Sequence, residues 1–431
     1  MTPHQLQFLF VGLAAILVLS RLLGAAARRL GQPPVVGEIL AGILVGPSLL
    51  NGAIADFLFP ADIRPLLAAL ANLGLVLFMF VIGYELDLAL MRGKGKVAAS
   101  VSLCSVALPF ALGGLLALHL SERHESVSHT GFVLFMGAAM SVTAFPVLAR
   151  ILSDSGLGRT RIGGIALASA AFDDIVAWSM LAVVVTVSGG GDQWSMLLAP
   201  VYLAVMFFLV KPGLRLLFDE RRSGGRITSD RLIVVLGGLM LSCWAAEWLG
   251  VHFVFGAFLF GVVMPRQTSE LVRVQVVDRF EHLSRLLLLP AFFVVAGLKV
   301  DLSGTGLQGL GELGLILLVA ISGKFIGAFV GARANGVPAL QSGVLATLMN
   351  TRGLTEIVIL TIGLQLGVLD PALYSLMVVM ALVTTAMAGP LLHLFKRRAG
   401  STEAIGDYGD SAGDPPAGED RRVASASSPR R

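Results

Sequence analysis

The sequence predicts an all-α polytopic membrane protein with thirteen transmembrane helices arranged as an inverted repeat. Three observations lead to this prediction: the composition, a series of long apolar runs, and an alternation of basic loops. The chain has 431 residues, of which 55% are apolar and 14% are charged, whereas an average soluble domain has about 25% charged residues. The apolar runs are continuous rather than alternating, which indicates membrane helices.

The apolar runs are mostly about 17 to 25 residues long, enough to cross about 30 Å of hydrocarbon as helices. We number them span 1 to span 13, and they cover 5–24, 33–49, 65–89, 97–119, 130–150, 162–187, 194–217, 231–249, 251–265, 284–299, 307–332, 341–366 and 371–395. Span 1 follows no basic stretch and contains no small-residue cleavage site, so we expect a membrane helix rather than a signal peptide.

Basic residues alternate between the two sides of the predicted bundle. The loops after odd-numbered spans carry Arg28, Arg29, Arg92, Lys94, Lys96, Arg159, Arg161, Arg221, Arg222, Arg226, Arg273, Arg279, Arg333, Lys396, Arg397 and Arg398. The loops after even-numbered spans carry only Arg64, Arg123 and Lys299. The positive-inside rule then predicts an outer N-terminus and a cytoplasmic C-terminus, in a plasma membrane or bacterial inner membrane. The net charge of +4 therefore reflects topology, and no nucleic-acid partner is expected.

The chain is expected to divide into a membrane domain and a tail. Residues 1–395 contain all the spans, whereas residues 396–431 are rich in Gly, Ser, Ala and Pro, which predicts a disordered cytoplasmic tail. The two cysteines, Cys104 and Cys243, both lie in apolar runs, so we expect neither a disulfide nor a thiolate metal site. The sequence contains no Walker loop, and we expect no cofactor.

The two halves of the chain share a sequence pattern. Span 2 reads VVGEILAGILVGP around Gly42, and span 9 reads FVFGAFLFGVVMP around Gly261. The next span in each half ends in a similar motif, at Gly83 in span 3 and at Gly297 in span 10. These equivalent spans run in opposite directions, which is typical of secondary transporters that bind substrate between two inverted repeats. The alternative is a chance likeness between glycine-rich apolar runs.

Three ionisable residues lie near the centres of spans. Span 6 contains Asp173 and Asp174, and span 11 contains Lys324. A charge at mid-membrane costs about 2.5 to 3.5 kcal/mol on an insertion scale, so such residues usually serve function. Adjacent helical residues point about 100° apart, so one aspartate can face a partner helix while the other faces a cavity. Lys324 needs a carboxylate partner, and we expect one of the two aspartates.

Two other spans are interrupted at their centres by polar or helix-breaking residues. Span 5 has Thr143 and Pro146 there, and span 12 has Asn350, Thr351, Arg352 and Glu356. An interrupted membrane helix exposes backbone groups, which is tolerable where they line a cavity or bind an ion. Structural alternatives remain open: an ion cluster of the aspartates with Lys324, an ordinary i,i+4 pair of Arg352 with Glu356, and a back-bonded Thr143.

Five stretches carry a resemblance to a known family: AAFDDIVAW, GAFLFGVVMP, LLLPAFFVVAGLKVDL, SGKFIGAFVGA and LMNTRGLTEIVILTIGLQLGVLDP. They resemble the monovalent cation:proton antiporter-2 family, in particular the plant and fungal cation/H⁺ exchangers and the membrane domain of Kef-type members. The resemblance covers about residues 5–395. It implies the sodium/proton antiporter fold, with a panel domain used for homodimerisation and a moving core domain of spans 4 to 6 and 11 to 13.

The resemblance also implies roles for the polar residues. Asp174 matches the essential ion-binding and proton-carrying aspartate, and Asp173 matches a position that is aspartate in electrogenic members. Lys324 matches the basic partner of Asp173, and Thr143 matches an unwound segment beside the ion. Asn350, Thr351, Arg352 and Glu356 lie within one of the stretches that resemble the family, and the interruption of span 12 predicts that they belong to a second unwound segment.

The expected function is exchange of Na⁺ or K⁺ for H⁺ across the membrane by alternating access, without enzymatic activity. Asp174 and Asp173 are expected to ligate the transported cation, because alkali cations prefer oxygen ligands. Protons compete for the same carboxylates. The alternative is a K⁺ efflux channel or uniporter that is not coupled to protons. The sequence leaves the choice of cation and the stoichiometry open.

Overall fold

The computed structural model describes residues 2–49, 52–85, 95–124, 126–158, 160–188, 198–218, 229–250, 252–265, 280, 282 and 284–400. Within these ranges, the regular elements are helices, and no β-strand occurs. The predicted helical fold class is confirmed for the described residues. Residues 401–431 of the predicted tail lie outside them.

The described residues form seventeen α-helices. They are α1 (Pro3–Arg29), α2 (Pro34–Val45), α3 (Ala53–Leu58), α4 (Arg64–Glu85), α5 (Gly95–Leu120), α6 (His129–Ser141), α7 (Phe145–Ser155), α8 (Arg161–Ser188), α9 (Ala199–Val205), α10 (Lys211–Leu217), α11 (Ser229–Trp248), α12 (Phe253–Val263), α13 (Leu289–Gly297), α14 (Leu307–Arg333), α15 (Ala339–Met349), α16 (Leu354–Gln365) and α17 (Pro371–Ala399). Single π-helical turns at Met206–Val210 and Ser284–Leu288 precede α10 and α13.

Eight helical segments in the described part of the chain are long and apolar enough to cross a membrane. They coincide with spans 1, 3, 4, 6, 7, 8, 11 and 13, and the protein is therefore a multi-pass membrane protein. Shorter apolar helices lie in spans 2, 9, 10 and 12, and span 5 is divided between α6 and α7. The number of thirteen crossings stays a prediction. Helix α3 lies between spans and was not predicted, because six residues are too few for a visible periodicity.

The long terminal helices begin at side chains that satisfy free backbone amides. The Thr2 hydroxyl accepts a hydrogen bond from the Gln5 amide at 3.2 Å, and the Gln5 side chain accepts one from the Thr2 amide at 2.9 Å. This reciprocal pair is a capping box. At the start of α17, an Asp370 carboxylate oxygen accepts a hydrogen bond from the Leu373 amide at 2.7 Å. Helix α17 continues to Ala399, four residues into the predicted tail.

The inverted repeat is visible in two equivalent helix crossings. Helix α2 of the first half packs on α13 of the second at Gly42 and Gly297, and α12 of the second half packs on α4 of the first at Gly83 and Gly261. A β-carbon at Gly42 or Gly83 would overlap a carbonyl oxygen of the facing helix. Each half therefore contributes one helix to each crossing, and the glycines shared by the two halves allow the close approach.

The helices pack in two groups. Helices α1, α2, α4, α11, α12 and α13 contact one another in the first group, and α5, α6, α8, α14, α15 and α17 do so in the second. The groups also meet, since the Tyr374 hydroxyl of α17 donates a hydrogen bond to the Ala296 carbonyl of α13 at 3.0 Å. Helices of the second group carry Asp173, Asp174 and Lys324, and Glu356 lies on α16, which packs against α17, α6 and α7. The other predicted site residues lie in the breaks at the ends of α6 and α15.

A charged cluster at one end of the bundle joins three elements. The His124 ring, in the turn after α5, has Nδ1 2.6 Å from Asp370 Oδ2 and Nε2 3.3 Å from Glu312 Oε2 of α14. Arg123 also reaches Glu312, at 3.1 Å. Because both ring contacts are carboxylates, both nitrogens are best used as donors, as in the imidazolium form. The hydrogen bond to Asp370 raises the pKa of His124, against the opposing effect of burial.

We expect His124→Gln to lower the Tm more at about pH 6 than at about pH 9. A folded-state pKa above the unfolded value of about 6.5 means that the contribution is full below that value and is lost as pH rises through the folded pKa. The measurement is thermal unfolding of the purified protein across this pH range. His4→Gln is the control, because His4 is exposed and lies 3.9 Å from Asp62. An equal loss of Tm at both pH values would contradict the expected charge state of His124.

Candidate functional site

The predicted site residues converge where α8 passes two interrupted helices. Helix α8 carries Asp173 and Asp174 near its middle and contacts α5, α6, α7 and α15. Helix α6 ends at Ser141 and α7 begins at Phe145. Helix α15 ends at Met349 and α16 begins at Leu354. The two non-helical segments between them lie side by side in the interior.

The two breaks are joined by a backbone hydrogen bond. The amide of Ala144, between α6 and α7, donates to the carbonyl of Thr351, between α15 and α16, at 3.0 Å. Pro146 occupies the second position of α7, where the missing proline amide needs no helical acceptor. Each interruption therefore satisfies part of the backbone that the other exposes, as buried backbone groups require.

Arg352 caps the end of α6. Its guanidinium donates to the carbonyls of Ala139 at 2.8 Å and Met140 at 2.6 Å, two of the carbonyls that have no partner within a helix that ends at Ser141. The same group donates to Glu356 Oε2 at 3.1 Å, and both side chains are fully buried. The i,i+4 pair of Arg352 with Glu356 is thus present, and Arg352 also holds the neighbouring broken helix.

Asp173 is surrounded by hydrogen-bond donors. Its Oδ2 lies 3.0 Å from Lys324 Nζ and 2.7 Å from the Thr143 hydroxyl. The Ser102 hydroxyl donates to Oδ1 at 2.6 Å, and Ser105 lies 3.4 Å from Oδ2. Asp173 and Lys324 are both completely buried. The charge of this carboxylate is therefore compensated by one cation and several dipoles.

Thr143 connects the lysine, the aspartate and the second break. Lys324 Nζ donates to its hydroxyl oxygen at 2.7 Å. The hydroxyl proton then faces two acceptors, Asp173 Oδ2 at 2.7 Å and the Met349 carbonyl at 3.0 Å. Thr143 is predicted to help ligate the cation, and in the structure its side chain contacts Asp173 and Lys324. The break carrying Thr143 therefore passes the face of α8 on which Asp173 lies.

We expect Thr143→Ala to destabilise the protein by about 1 to 3 kcal/mol, because the buried Lys324 ammonium loses an acceptor. Thr143→Ser keeps the hydroxyl and should lose much less. Thr384→Ala is the matched control, since Thr384 is also fully buried but, among the described residues, its hydroxyl bonds to carbonyls of its own helix alone. The measurement is thermal or denaturant unfolding in detergent. Equal losses for Thr143→Ala and Thr384→Ala would contradict the bridging role.

Asp174 has a different environment from its neighbour. It is 2% exposed, and its Oδ1 is buried without a hydrogen-bond partner in the described part of the chain. Residues four apart on a helix share a face, so Asp174 lies on the face of α8 that also carries Trp178. The Trp178 ring lies 5.9 Å from Phe255 and 6.1 Å from Phe258, both on α12. Asp174 therefore faces the boundary between the two groups of helices.

The second break contains further polar atoms without partners. Asn350 and Thr351 are buried, and Asn350 Oδ1 has no hydrogen-bond partner among the described residues. The Thr351 hydroxyl donates to the Leu348 carbonyl at 2.8 Å. In the first turn of α16, Glu356 Oε1 is likewise buried with no partner in the described part of the chain. The eight predicted residues thus form two adjoining groups, one around Asp173 and one around Arg352, with Asp174 on a separate face of α8.

Sequence reasoning missed Ser102 and Ser105. Their signal was available, because two serines three residues apart on α5 share a helix face. Serines in an apolar helix are usually satisfied by their own backbone, as Ser105 partly is through the Ser102 carbonyl at 3.1 Å. Only the packing of α5 against α8 identifies them as donors to Asp173.

Comparison with known proteins places this arrangement in a family. Residues 14–397 match the family model described as sodium/hydrogen exchanger, transmembrane. The chain belongs to the sodium/hydrogen exchanger family. The exchanger is 37% identical to the Na⁺/H⁺ antiporter NhaS4 of Synechocystis over 91% of its own length and 98% of that protein. It is 35% identical to cation/H⁺ antiporter 20 of Arabidopsis thaliana and 32% identical to K⁺/H⁺ antiporter 1 of Saccharomyces cerevisiae.

The extent of these matches differs between relatives. The Arabidopsis match spans 94% of this chain but 50% of the Arabidopsis protein. The yeast match spans 88% of this chain but 44% of the yeast protein. Among solved structures, the sodium proton antiporter MjNhaP1 of Methanocaldococcus jannaschii at pH 8 matches with a TM-score of 0.63 at 16% identity, covering 93% of this chain and 99% of that chain. The predicted family resemblance and the antiporter fold are confirmed.

Proposed function

We propose that Asp174 is the group at which a monovalent cation and a proton compete in this exchanger. The observation that carries the proposal is the contrast between two adjacent carboxylates. Asp173 accepts hydrogen bonds from Lys324, Thr143 and Ser102, whereas Asp174 has a buried oxygen with no partner among the residues that the structure describes. An acceptor left open in a dry interior is costly, and binding a proton or a cation removes that cost.

The exchange of a cation for protons is the activity of the family, and the chemistry at Asp174 explains how one site can perform it. An alkali cation is a hard ion that needs oxygen ligands, and an ionised carboxylate supplies a negative one. A proton on the same carboxylate removes that charge and releases the cation. If the site opens alternately to each side, the two species are carried in opposite directions.

We propose that Asp173 and Lys324 set the charge of the site. The ammonium neutralises Asp173 at 3.0 Å, which leaves Asp174 as the carboxylate that meets the ion. If cation binding also separates the pair and the freed Lys324 ammonium then loses its proton, Asp173 becomes a second ligand and two protons cross for each cation. Exchange would then carry net charge, whereas exchange through Asp174 alone would be electroneutral.

The transported cation is proposed to be Na⁺ or K⁺. Relatives named for each ion resemble this chain: a Synechocystis Na⁺/H⁺ antiporter at 37% identity and a yeast K⁺/H⁺ antiporter at 32%. Both ions use oxygen ligands, so selectivity depends on the number and geometry of those ligands. Exchange rates in Na⁺, K⁺ and Li⁺ would identify the preferred ion.

The protein is proposed to be a homodimer, with an outer N-terminus and a cytoplasmic C-terminus. The orientation follows from the basic loops after the odd-numbered spans, and the dimer follows from the family resemblance. Thr2→Cys and Gly400→Cys variants, probed with an impermeant thiol reagent on intact cells, should label only at position 2. Mass measurement in detergent tests the dimer.

The experiment that tests the proposed function measures pH inside proteoliposomes while the membrane potential is clamped. Adding Na⁺ or K⁺ outside should drive protons out in exchange, and an imposed pH gradient should drive cation uptake. A K⁺ channel or uniporter predicts cation flux that is independent of the pH gradient. Uncoupled flux in every cation tested would therefore replace the antiporter with that alternative.

A further inference from the structure

A cleft of about 500 Å³ opens at one end of the bundle, where α1, α7 and α17 end. Its polar lining includes Arg28, Arg150, His393, Lys396, Gln32 and Thr385. The volume is within the usual range for small-ligand sites, about 300 to 1,000 Å³. We propose that this cleft binds a phosphate-bearing anion, and that its occupant in the membrane is the headgroup of an anionic phospholipid.

The charge of the cleft favours an anion even after the helix ends are counted. Each helix C-terminus carries about half a negative charge, so three ends offset only part of the charge of Arg28 and Lys396, even without counting Arg150. Lys396 uses one donor on the Ser155 carbonyl at the end of α7, at 2.6 Å. No aspartate or glutamate occurs among the described residues that line the cleft. Glu38 interacts electrostatically with Arg28, but Glu38 does not line the cleft.

Donors remain available for a ligand. Neither the Arg28 side chain nor the His393 ring donates a hydrogen bond to another described residue. Arginine forms paired hydrogen bonds to phosphate oxygens, which suits a phosphodiester. A positive cleft with free donors is therefore built to accept an anion.

The cleft also has the two-sided character of a lipid-headgroup site. Pro33, Ile151 and Leu392 line it beside the basic side chains, and they offer contacts for the first carbons of an acyl chain. The ends of spans 1, 5 and 13 meet here, and the basic loops predict that these ends face the cytoplasm. Basic pockets between helices on that side are suited to anionic headgroups.

An anion bound in the cleft is expected to affect the transport site, because hydrogen bonds join the lining of the cleft to the elements of that site. The Gln32 amide donates to the Ala386 carbonyl at 3.1 Å, which ties the turn between α1 and α2 to α17. The Thr385 hydroxyl donates to the Arg352 carbonyl at 2.5 Å and accepts from the Arg352 amide at 3.1 Å. An anion held between these elements stabilises the arrangement in which they are close. This coupling rests on the proposed function, and it predicts slower exchange when the cleft is filled.

The test measures binding to the purified, delipidated protein by thermal shift. Phosphatidylglycerol, phosphatidylcholine and inorganic phosphate are titrated separately, at low salt because exposed charges are screened. We expect phosphatidylglycerol to raise the Tm and phosphatidylcholine to have little effect. The triple variant Arg28→Gln, Arg150→Gln and Lys396→Gln should raise the half-saturating concentration at least about tenfold, because each hydrogen bond to a charged group contributes about that factor.

The matched control is Arg397→Gln with Arg398→Gln, which removes charge from the exposed end of α17 without touching the cleft lining. It should bind phosphatidylglycerol as the unchanged protein does. An equal shift with inorganic phosphate would support the site and assign it to soluble phosphates. If the unchanged protein shows equal shifts with phosphatidylglycerol and phosphatidylcholine and none with phosphate, that result is enough to overturn the site. Full binding by the triple variant would also overturn it.

Transport in vesicles of the two lipids then tests the coupling. Exchange should be slower in phosphatidylglycerol than in phosphatidylcholine, and the triple variant should lose this difference. Because binding is measured without transport, a failure of the proposed exchange at Asp174 would leave the binding result intact.

Discussion

Asp174→Asn is expected to reduce cation-dependent proton exchange by at least about 100-fold. Asparagine keeps the shape of the side chain but cannot carry a proton between pH 5 and 9, and it offers the cation no charge. A unit charge at about 4 Å in a partly screened site contributes about 4 kcal/mol, which corresponds to roughly a thousandfold in affinity. Asp174→Glu keeps both properties and should retain measurable exchange with a shifted pH profile.

The fold of the Asp174→Asn variant should be preserved. The substitution removes a buried charge, one oxygen of which has no partner among the described residues, so we expect an unchanged or higher Tm. Proteoliposome flux and Tm are measured on the same preparations, with Asp230→Asn as a control near the start of α11. Exchange within about tenfold of the unchanged protein, in a well-folded Asp174→Asn variant, would remove Asp174 from the role proposed here.

Lys324→Met is expected to destabilise the protein by about 3 to 5 kcal/mol, because it leaves Asp173 as an uncompensated buried charge. Adding Asp173→Asn should recover most of that loss, since the amide oxygen can still accept from Ser102 while the amide NH₂ donates to the Thr143 hydroxyl, whose proton keeps the Met349 carbonyl as acceptor. The methionine fills a volume similar to that of the lysine stem. The double variant tests the pair, because the interaction energy is the difference between the stability change of the double variant and the sum of the changes of the two single variants.

The measurement is a double-mutant cycle on unfolding in detergent. The matched pair Arg64→Met and Asp56→Asn has a similar geometry, at 2.7 Å, but is partly exposed, and an exposed pair contributes about 0 to 1 kcal/mol. Additive losses for Lys324→Met and Asp173→Asn would show that the two charges are compensated by other groups. The same variants in proteoliposomes with a voltage readout would show whether the pair affects net charge movement.

The membrane itself made part of the site predictable from sequence. Asp173, Asp174 and Lys324 are rare residue types in apolar spans, and their cost in hydrocarbon singles them out. The interruptions at Thr143 and Asn350 are visible because proline, glycine and polar residues break an apolar run. Division of labour between the two aspartates was inferred from the resemblance, since helix geometry says only that they point apart.

Other contacts could not be predicted, because they depend on how distant segments pack. Ser102 and Ser105 look like ordinary small residues of an apolar helix until α5 is placed against α8. Arg352 suggested a local pair with Glu356, and nothing in its own segment reveals that it caps α6 through Ala139 and Met140. The alignment of Thr143 with Asp173 rather than Asp174 likewise depends on the path of a three-residue break.

The glycine pattern shows the opposite case, in which a weak local signal predicts tertiary structure well. Gly42 and Gly261 were recognised as equivalent positions in two similar motifs, and Gly83 and Gly297 as a second equivalent set. In the structure, each glycine meets a member of the other set across a helix crossing. A repeated glycine motif therefore indicates a repeated contact, because glycine allows the backbones of two helices to approach closely.

The hydrogen bond from Ala144 to Thr351 has a consequence for how the molecule can move. Together with the hydrogen bonds from the Arg352 guanidinium to α6, it holds the two interrupted helices together at their breaks. A motion that separated these helices would leave several buried amides and carbonyls without hydrogen-bond partners, because no water is available in the interior to replace them. The conformational change of the exchanger is therefore expected to move the paired breaks together as a rigid unit, with relative displacement at the boundary between the two groups of helices beside Trp178.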